Sequence, residues 1–227
     1  MTAITAITAQ NTRAVTAVHP LPAQVVIDQV AAVVDDIGVD AVKVGMLGDV
    51  ATIEAVREAL ALVGDVPVVV DPVMVSESGA VLLHEDARDA LREQILPLAT
   101  VVTPNLPEAR TLAERFDEDE VRELACRIRS LGPRVVVITG GHREEGSDLY
   151  YDGQDFREIE GDRHPDGAAH GSGCTHSSAL AAYLARGHSP LEAARQARAV
   201  ASDAVRDGLR SIGSGSGPVD ALGIAAD

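Results

Sequence analysis

Apolar and polar positions along the chain alternate between two periods, and the alternation predicts the order of elements. Thr2 to Thr8 is rich in β-branched residues and reads as a strand that ends at the polar cluster Gln10-Asn11-Thr12, with a second short strand over 13–18. Pro20 and Pro22 then introduce a helix through Asp36, with Val25, Val26, Gln29, Val30 and Val33 along one side. A strand at 40–45, with Met46-Leu47-Gly48 as its exit, leads to a helix over 50–63. Pro67-Val68-Val69-Val70-Asp71 is continuously apolar up to its last residue, the pattern of a strand buried on both faces of a parallel sheet. A helix over 85–96, a strand over 99–103 and a helix from Leu106 come next. The acidic run Asp117-Glu118-Asp119-Glu120 opens a further helix to Ser130, since carboxylates in a first turn complement the helix dipole. A strand over 134–138, a hairpin around Asp152-Gly153 and two helices, at 173–186 and 190–209, complete the pattern. The Gly-Ser tail from residue 213 reads as a flexible turn or linker.

Strands alternating with helices imply an α/β fold with a mainly parallel sheet and helices on both faces, here as one domain over 1–227. In such sheets ligands collect beyond the carboxyl ends of the strands. The polar residues at those ends are Gln10, the Gly45-Met46 loop, Asp71, Asn105 with Glu108, Thr139-Gly140-Gly141-His142 and the loop before Cys174. Their convergence on one edge points to an active site.

His170-Gly171-Ser172-Gly173-Cys174-Thr175 is the segment around which the others are arranged. A tight Gly-rich turn running into a helix leaves amides without intrahelical partners at the positive end of the dipole, which makes an anion site. Cys174 is an ionisable group inside it, expected to have its thiol pKa lowered by that helix end. A GxG alone is equally an ordinary cap, and Cys174 alone equally a packing residue. Asp71 by itself reads as well as a turn or cap, and Asn105 and Glu108 as the first turn of any helix. Together the three supply hard oxygen ligands of the kind Mg²⁺ takes while binding substrate phosphates. A divalent ion, an anion-binding helix end and an ionisable side chain are the parts that phosphoryl transfer needs.

Charge narrows the partners. Of 227 residues, 35 are acidic and 19 basic, a net charge of −16 that opposes DNA and anionic lipid but leaves small anions accessible through local donors or Mg²⁺. Aromatics make up 2% with no Trp, so base-stacking surfaces are scarce and Ala, Val, Leu and Ile must do the packing. Cys126 and Cys174 form no disulfide framework or zinc spacing, and no apolar run of the roughly 18 residues needed to span a bilayer is present. A cytoplasmic protein is expected.

With these motifs in place, the chain resembles the hydroxymethylpyrimidine and phosphomethylpyrimidine kinases of thiamine biosynthesis, members of the three-layer ribokinase-like fold. The matching segments are Thr5 to Thr12, Lys43 to Leu47, Val70 to Met74, Thr103 to Ala109 and His170 to Thr175. The resemblance implies that Gln10 and Met46 contact the pyrimidine, that Asp71, Asn105 and Glu108 organise Mg²⁺ and the ATP phosphates, and that the 171–174 amides (Gly171, Ser172, Gly173, Cys174) hold the transferring group. Cys174 stands where most sugar kinases of this fold place an Asp base. It also implies that Thr139 and Gly141 face the nucleotide and that the enzyme is a homodimer. Two departures stand out. Thr139 occupies a position where similar proteins carry Lys, leaving Lys43, Arg143 or Mg²⁺ itself to supply the charge. Similar proteins also begin with a strand and a Gly-rich substrate segment ahead of the strand at Thr2, so an N-terminally truncated fold is expected. The competing functions are a pyridoxal kinase of the same fold and a non-catalytic nucleotide-binding remnant.

Overall fold

The computed structural model describes residues 1–115, 120–142, 146–165 and 167–224. The first two strands, β1 (Ala6–Gln10) and β2 (Val15–Pro20), pair antiparallel in a two-stranded hairpin separate from the main sheet. Asn11 explains the turn: its Oδ1 accepts the N–H groups of Arg13 and Ala14, the Asx geometry that reverses a chain. The hairpin is tied down at its base. Gln29, on α1 (Ala23–Asp36), accepts the Ile4 N–H and donates to the Ile4 carbonyl, both at 3.0 Å, and Thr5 Oγ1 donates to the Met46 carbonyl.

The six-stranded sheet runs β3 (Val42–Val44), β4 (Val68–Val70), β5 (Val101–Val102), β6 (Val135–Ile138), β7 (Asp148–Tyr151), β8 (Phe156–Ile159). The first four are parallel and the last two antiparallel. Because side chains alternate across a sheet, consecutive valines serve opposite cores. Val70, Val102 and Val136 join Ile53, Leu91, Ile95, Leu112 and Leu124 on one face, beneath α2 (Val50–Leu60), α4 (Leu106–Leu112) and α5 (Val121–Ser130). Val69, Val101, Val135 and Val137 join Leu180, Leu184, Ala193 and Ala197 on the other, beneath α6 (Ser172–Ala185) and α7 (Pro190–Arg206). Helices thus cover both faces, and alanines in the second layer let the helices approach closely in a chain with few aromatics. β3 is an edge strand whose outer side pairs with no strand among the described residues. No helix among the described residues is long and apolar enough to cross a membrane.

Three expectations are corrected. The helix expected over 85–96 is α3 (Glu85–Ala90) followed by a π turn at Leu91–Ile95 and a 3₁₀ turn at Leu96–Leu98, where Pro97 removes a backbone donor and ends the helical run. The helix expected from 117 starts at Val121, and residues 116–119 lie outside the described residues. The tail from 213 is docked rather than loose. Gly215 N–H donates to Thr12 Oγ1 at 3.3 Å, the Gly217 carbonyl accepts the His170 N–H, and the Pro218 carbonyl accepts the Leu209 N–H. The tail therefore bridges the tip of the β1–β2 hairpin and the loop leading into α6.

Glycine is what permits the bridge. A Cβ at Gly215 would sit 1.8 Å from the Thr12 carbonyl oxygen, a backbone atom that cannot rotate away. Gly215→Ala is expected to part the tail from the hairpin, at a cost of about 1 kcal/mol and a Tm lower by about 2–4 °C, with faster proteolysis near Thr12. Unchanged melting and an unchanged cleavage pattern would show that the contact holds nothing in place.

Candidate active site

A continuous cleft of about 1320 Å³ runs along the carboxyl ends of the parallel strands, and Gln10, Met46, Asp71, Glu108, Thr139 and Cys174 are among the residues that line it. Asp71 follows β4 and is 5% exposed. A carboxylate there needs compensation, and it has two sources: Lys43 Nζ from β3 lies 3.3 Å from Oδ2, and Ser177 Oγ from α6 donates to the same oxygen at 2.9 Å. Gly45 is small because the lysine returns across it, with an added Cβ falling 2.6 Å from Lys43 Nζ.

Asn105 and Glu108 form a reciprocal cap at the start of α4. Asn105 Oδ1 accepts the Glu108 N–H and Glu108 Oε2 accepts the Asn105 N–H, each at 2.9 Å. The other carboxylate oxygen of Glu108 accepts the Met74 N–H at 3.3 Å, which ties the loop after β4 to α4. The Asn105 side-chain oxygen is thus already engaged by the backbone. Burial, with the Asp71 charge nearby, pushes the Glu108 carboxyl up to about 7, against the lowering pull of the Asn105 and Met74 amides.

The α6 N terminus opens onto the same cleft. Gly171 adopts φ 92°, a left-handed conformation that glycine enters without penalty, and no side chain caps the helix. The Ser172 N–H is taken by the Ala169 carbonyl at 3.0 Å, which corrects the expectation of a full ring of free amides. The Gly173 and Cys174 amides remain, and as first-turn groups they have no intrahelical acceptor. Cys174 is open to solvent from the cleft, yet its thiol is raised, not lowered. Crowding by the surrounding protein is the largest cause; Lys43 opposes it, and the Asp71 and Glu108 carboxylates reinforce it. The expected activation by the helix end is outweighed by desolvation and by two nearby acids.

The remaining predicted residues occupy the rims. Gln10 is exposed where β1 ends beside an irregularity in the hairpin pairing, and Met46 is half-buried in the loop after β3. Thr139 donates its N–H to the Pro104 carbonyl, and Gly141 is exposed with open space where a Cβ would go. Of the cations weighed as substitutes for a lysine at 139, Lys43 is engaged with Asp71 and Arg143 lies outside the described residues.

Sequence reasoning missed Ser177 and the buried charges behind the 139–141 turn. Ser177 sits one helical turn beyond Cys174, a spacing that could have flagged it. Asp148 was readable only as the first polar residue of a strand.

The comparisons agree with this geometry. Residues 1–220 match the family described as phosphomethylpyrimidine kinase. A hydroxymethylpyrimidine/phosphomethylpyrimidine kinase from Streptomyces coelicolor is 43% identical over 223 residues, covering 97% of this chain and 82% of that protein. A thiamine biosynthesis bifunctional protein from Geobacter sulfurreducens is 43% identical over 228 residues, and there the chain spans 46% of the relative's length. Among solved structures, a Bacillus subtilis pyridoxal kinase in complex with ADP superposes with a TM-score of 0.88 at 35% identity, covering 100% of this chain and 88% of that one. A phosphomethylpyrimidine kinase from Clostridium difficile gives 0.78 at 36%, covering 90% and 86%. An Asp–Lys salt bridge, a second acid and an uncapped helix end in one cleft are thus found on the fold of known vitamin kinases, and the chain belongs to the phosphomethylpyrimidine kinase family, a family of phosphotransferases.

Proposed function

We propose that this chain transfers the γ-phosphoryl group of ATP to the hydroxymethyl oxygen of 4-amino-5-hydroxymethyl-2-methylpyrimidine, and then to the phosphate of the monophosphate so formed. The product is the diphosphate used in thiamine biosynthesis. The observation that carries this reading is the uncapped α6 N terminus facing the Lys43–Asp71 pair across one cleft. The helix amides receive the transferring group, where pre-aligned dipoles stabilise charge without reorganising. In this reading Gln10 and Met46 hold the pyrimidine and Thr139 and Gly141 the nucleotide, supported by their common place along the cleft. The chain acts as one kinase domain, in the cytoplasm and as a homodimer.

The residues present fit Mg²⁺. Asp71 and Glu108 repel each other across the cleft and have one lysine between them to offset the charge. Among the described residues no three His, Cys, Asp or Glu side chains come close enough to enclose a metal, so the fit is to an ion that keeps waters and takes phosphate oxygens as further ligands. Asp71 and Glu108 would hold it, with Asn105 fixing Glu108 through the cap. The ion would supply charge neutralisation at the phosphates.

A second reading, pyridoxal kinase, is favoured by the close superposition on a protein of that name. The relatives named for pyrimidine phosphorylation, at 43% identity, favour the first. Turnover of the pyrimidine alcohol and of pyridoxal, measured side by side, decides between them: kcat/KM higher for pyridoxal would overturn the proposal.

Two further outcomes are expected. With its carboxyl near 7, Glu108 must lose a proton to serve an ion, so apparent Mg²⁺ affinity should rise steeply as pH climbs toward 7 and level off above it. In the metal-free protein the sign is opposite. Between the ordinary 4.5 and about 7 the folded state holds a proton that the unfolded state has lost, so stability declines as pH rises through that window. Glu108→Gln should flatten both dependences, and Asp71→Asn should raise the Mg²⁺ requirement while moving both dependences to lower pH, since the Asp71 charge helps raise the Glu108 carboxyl. Mg²⁺ titrations unchanged in both variants would make the carboxylates structural.

The second outcome concerns Cys174. If the thiolate takes the hydroxyl proton in the first transfer, its raised pKa means that this step keeps accelerating with pH well into the alkaline range. The second acceptor is a phosphomonoester with a pKa near 6 and is already a dianion, so it needs no base. Cys174→Ala should therefore depress the first transfer at least about tenfold, abolish its alkaline rise and spare the second. Equal losses on the alcohol and the monophosphate would remove the base role.

A further inference from the structure

Behind the turn at Gly140–His142 lies a charged cluster that the reaction as described does not use. Asp148, at the start of β7, is 0% exposed. Its Oδ1 accepts the Gly140 N–H at 2.7 Å, and Arg198 Nη1 of α7 stands 3.7 Å from the same oxygen. Its Oδ2 lies 3.2 Å from His176 Nε2 of α6, a contact off the line of a well-formed hydrogen bond. Arg198 also donates to the Gly146 carbonyl at 2.5 Å. Burial alone would raise the Asp148 carboxyl; His176 foremost, then Arg198 and the Gly140 amide, outweigh it and keep the group below the usual carboxylate range.

The cluster ties together three elements through one buried carboxylate. One is the turn, whose Gly140 has no spare room: a Cβ there would fall 2.4 Å from the Gly146 carbonyl oxygen and 2.5 Å from that of Ser147. Another is α6, whose first turn carries Cys174 and where His176 lies two residues beyond it. The last is α7. A buried carboxylate with partners on each side is costly to form and hard to deform, since removing one partner leaves the others unpaired in a dry interior. Such a unit suits the holding of one loop at a fixed distance from a helix end.

We propose that Asp148, with His176 and Arg198, is a positioning unit that fixes the Thr139–Gly141 turn relative to the α6 N terminus and so sets affinity for the nucleotide rather than for the acceptor. The proposal rests on the reading above that this turn faces ATP. Asp148 acts through the Gly140 amide and does not itself touch a substrate.

The test is steady-state kinetics with each substrate varied in turn. Asp148→Ala removes the acceptor for the Gly140 amide and is expected to raise the KM for ATP about tenfold, with the pyrimidine KM within about twofold of the parent. Asp148→Asn keeps an acceptor oxygen of the same reach and should restore most of that loss. His176→Phe, close in volume, frees Asp148 from α6 alone and should raise the ATP KM in the same direction, so the idea stays testable if Asp148→Ala does not fold. Gly141→Leu adds bulk into open cleft space and reports whether the turn meets ATP at all. An unchanged ATP KM in Gly141→Leu would overturn the placement of the nucleotide at this turn, and the proposal with it. A raised ATP KM there, together with an unchanged one in Asp148→Ala and His176→Phe, would overturn the positioning role alone. So would equal increases in both KM values, or a lower Tm with neither KM altered.

Discussion

A carboxylate at the end of a buried parallel strand is the constraint on which this cleft depends. Asp71 follows three valines that are almost wholly removed from water, and it turns the chain out of the sheet while itself 5% exposed. In that position its charge must be met, and the partners come from different directions: Lys43 from the neighbouring strand and Ser177 from the helix above. Fixing one charged atom pair therefore fixes a strand, a strand exit and a helix in relation to each other. The α6 N terminus is presented to the cleft because Ser177, one turn in, is held by Asp71.

The second acid follows different rules. Glu108 has both oxygens engaged by backbone amides, in a cap that the Asn105-x-x-Glu108 spacing builds locally. Its charge is opposed by burial and by Asp71, which together outweigh the pull of the amides and raise its carboxyl. Cys174 answers to the same field. A helix N terminus is often treated as sufficient to acidify a thiol, but here two acids and a crowded cleft floor prevail over the helix and Lys43. Local dipoles act within the electrostatics of a whole site, and a protein with a net charge of −16 is a setting in which acids are seldom far away.

How much of this was legible depends on whether the determinant was local. The valine strands were, because a run such as Val68-Val69-Val70 can only be a strand buried on both sides in so short a length. The gathering of Asp71, Glu108, Thr139 and Cys174 in one cleft followed from strand order and the rule for parallel sheets, whereas Gln10 reaches it on an antiparallel hairpin outside that sheet. The sign of the Cys174 shift was not legible, since it depends on how deeply three segments far apart in sequence crowd a single sulfur. The Asp148 cluster was hidden for a similar reason: an aspartate opening a hairpin strand looks solvated until α6 and α7 are laid over it. The tail misled in the opposite sense. Gly-Ser repeats signal freedom when nothing approaches them, but glycine is also what a backbone uses to lie directly on another backbone, as Gly215 does on Thr12.

That last contact has a consequence for how the molecule comes into being. Thr12 and Gly215 are separated by 203 positions in the chain. Closing so long a loop costs entropy that nearer pairings do not, and contacts of this separation form late in folding. During synthesis the hairpin that forms one wall of the cleft emerges well before Gly215, and its tip lacks this support until the segment around Gly215 has left the ribosome. Gly217, close behind Gly215, also bonds to His170 at the entrance to α6. The wall and the phosphate-facing loop are therefore set in place by the same late segment, and the cleft takes its final shape only once residues 215–217 have docked.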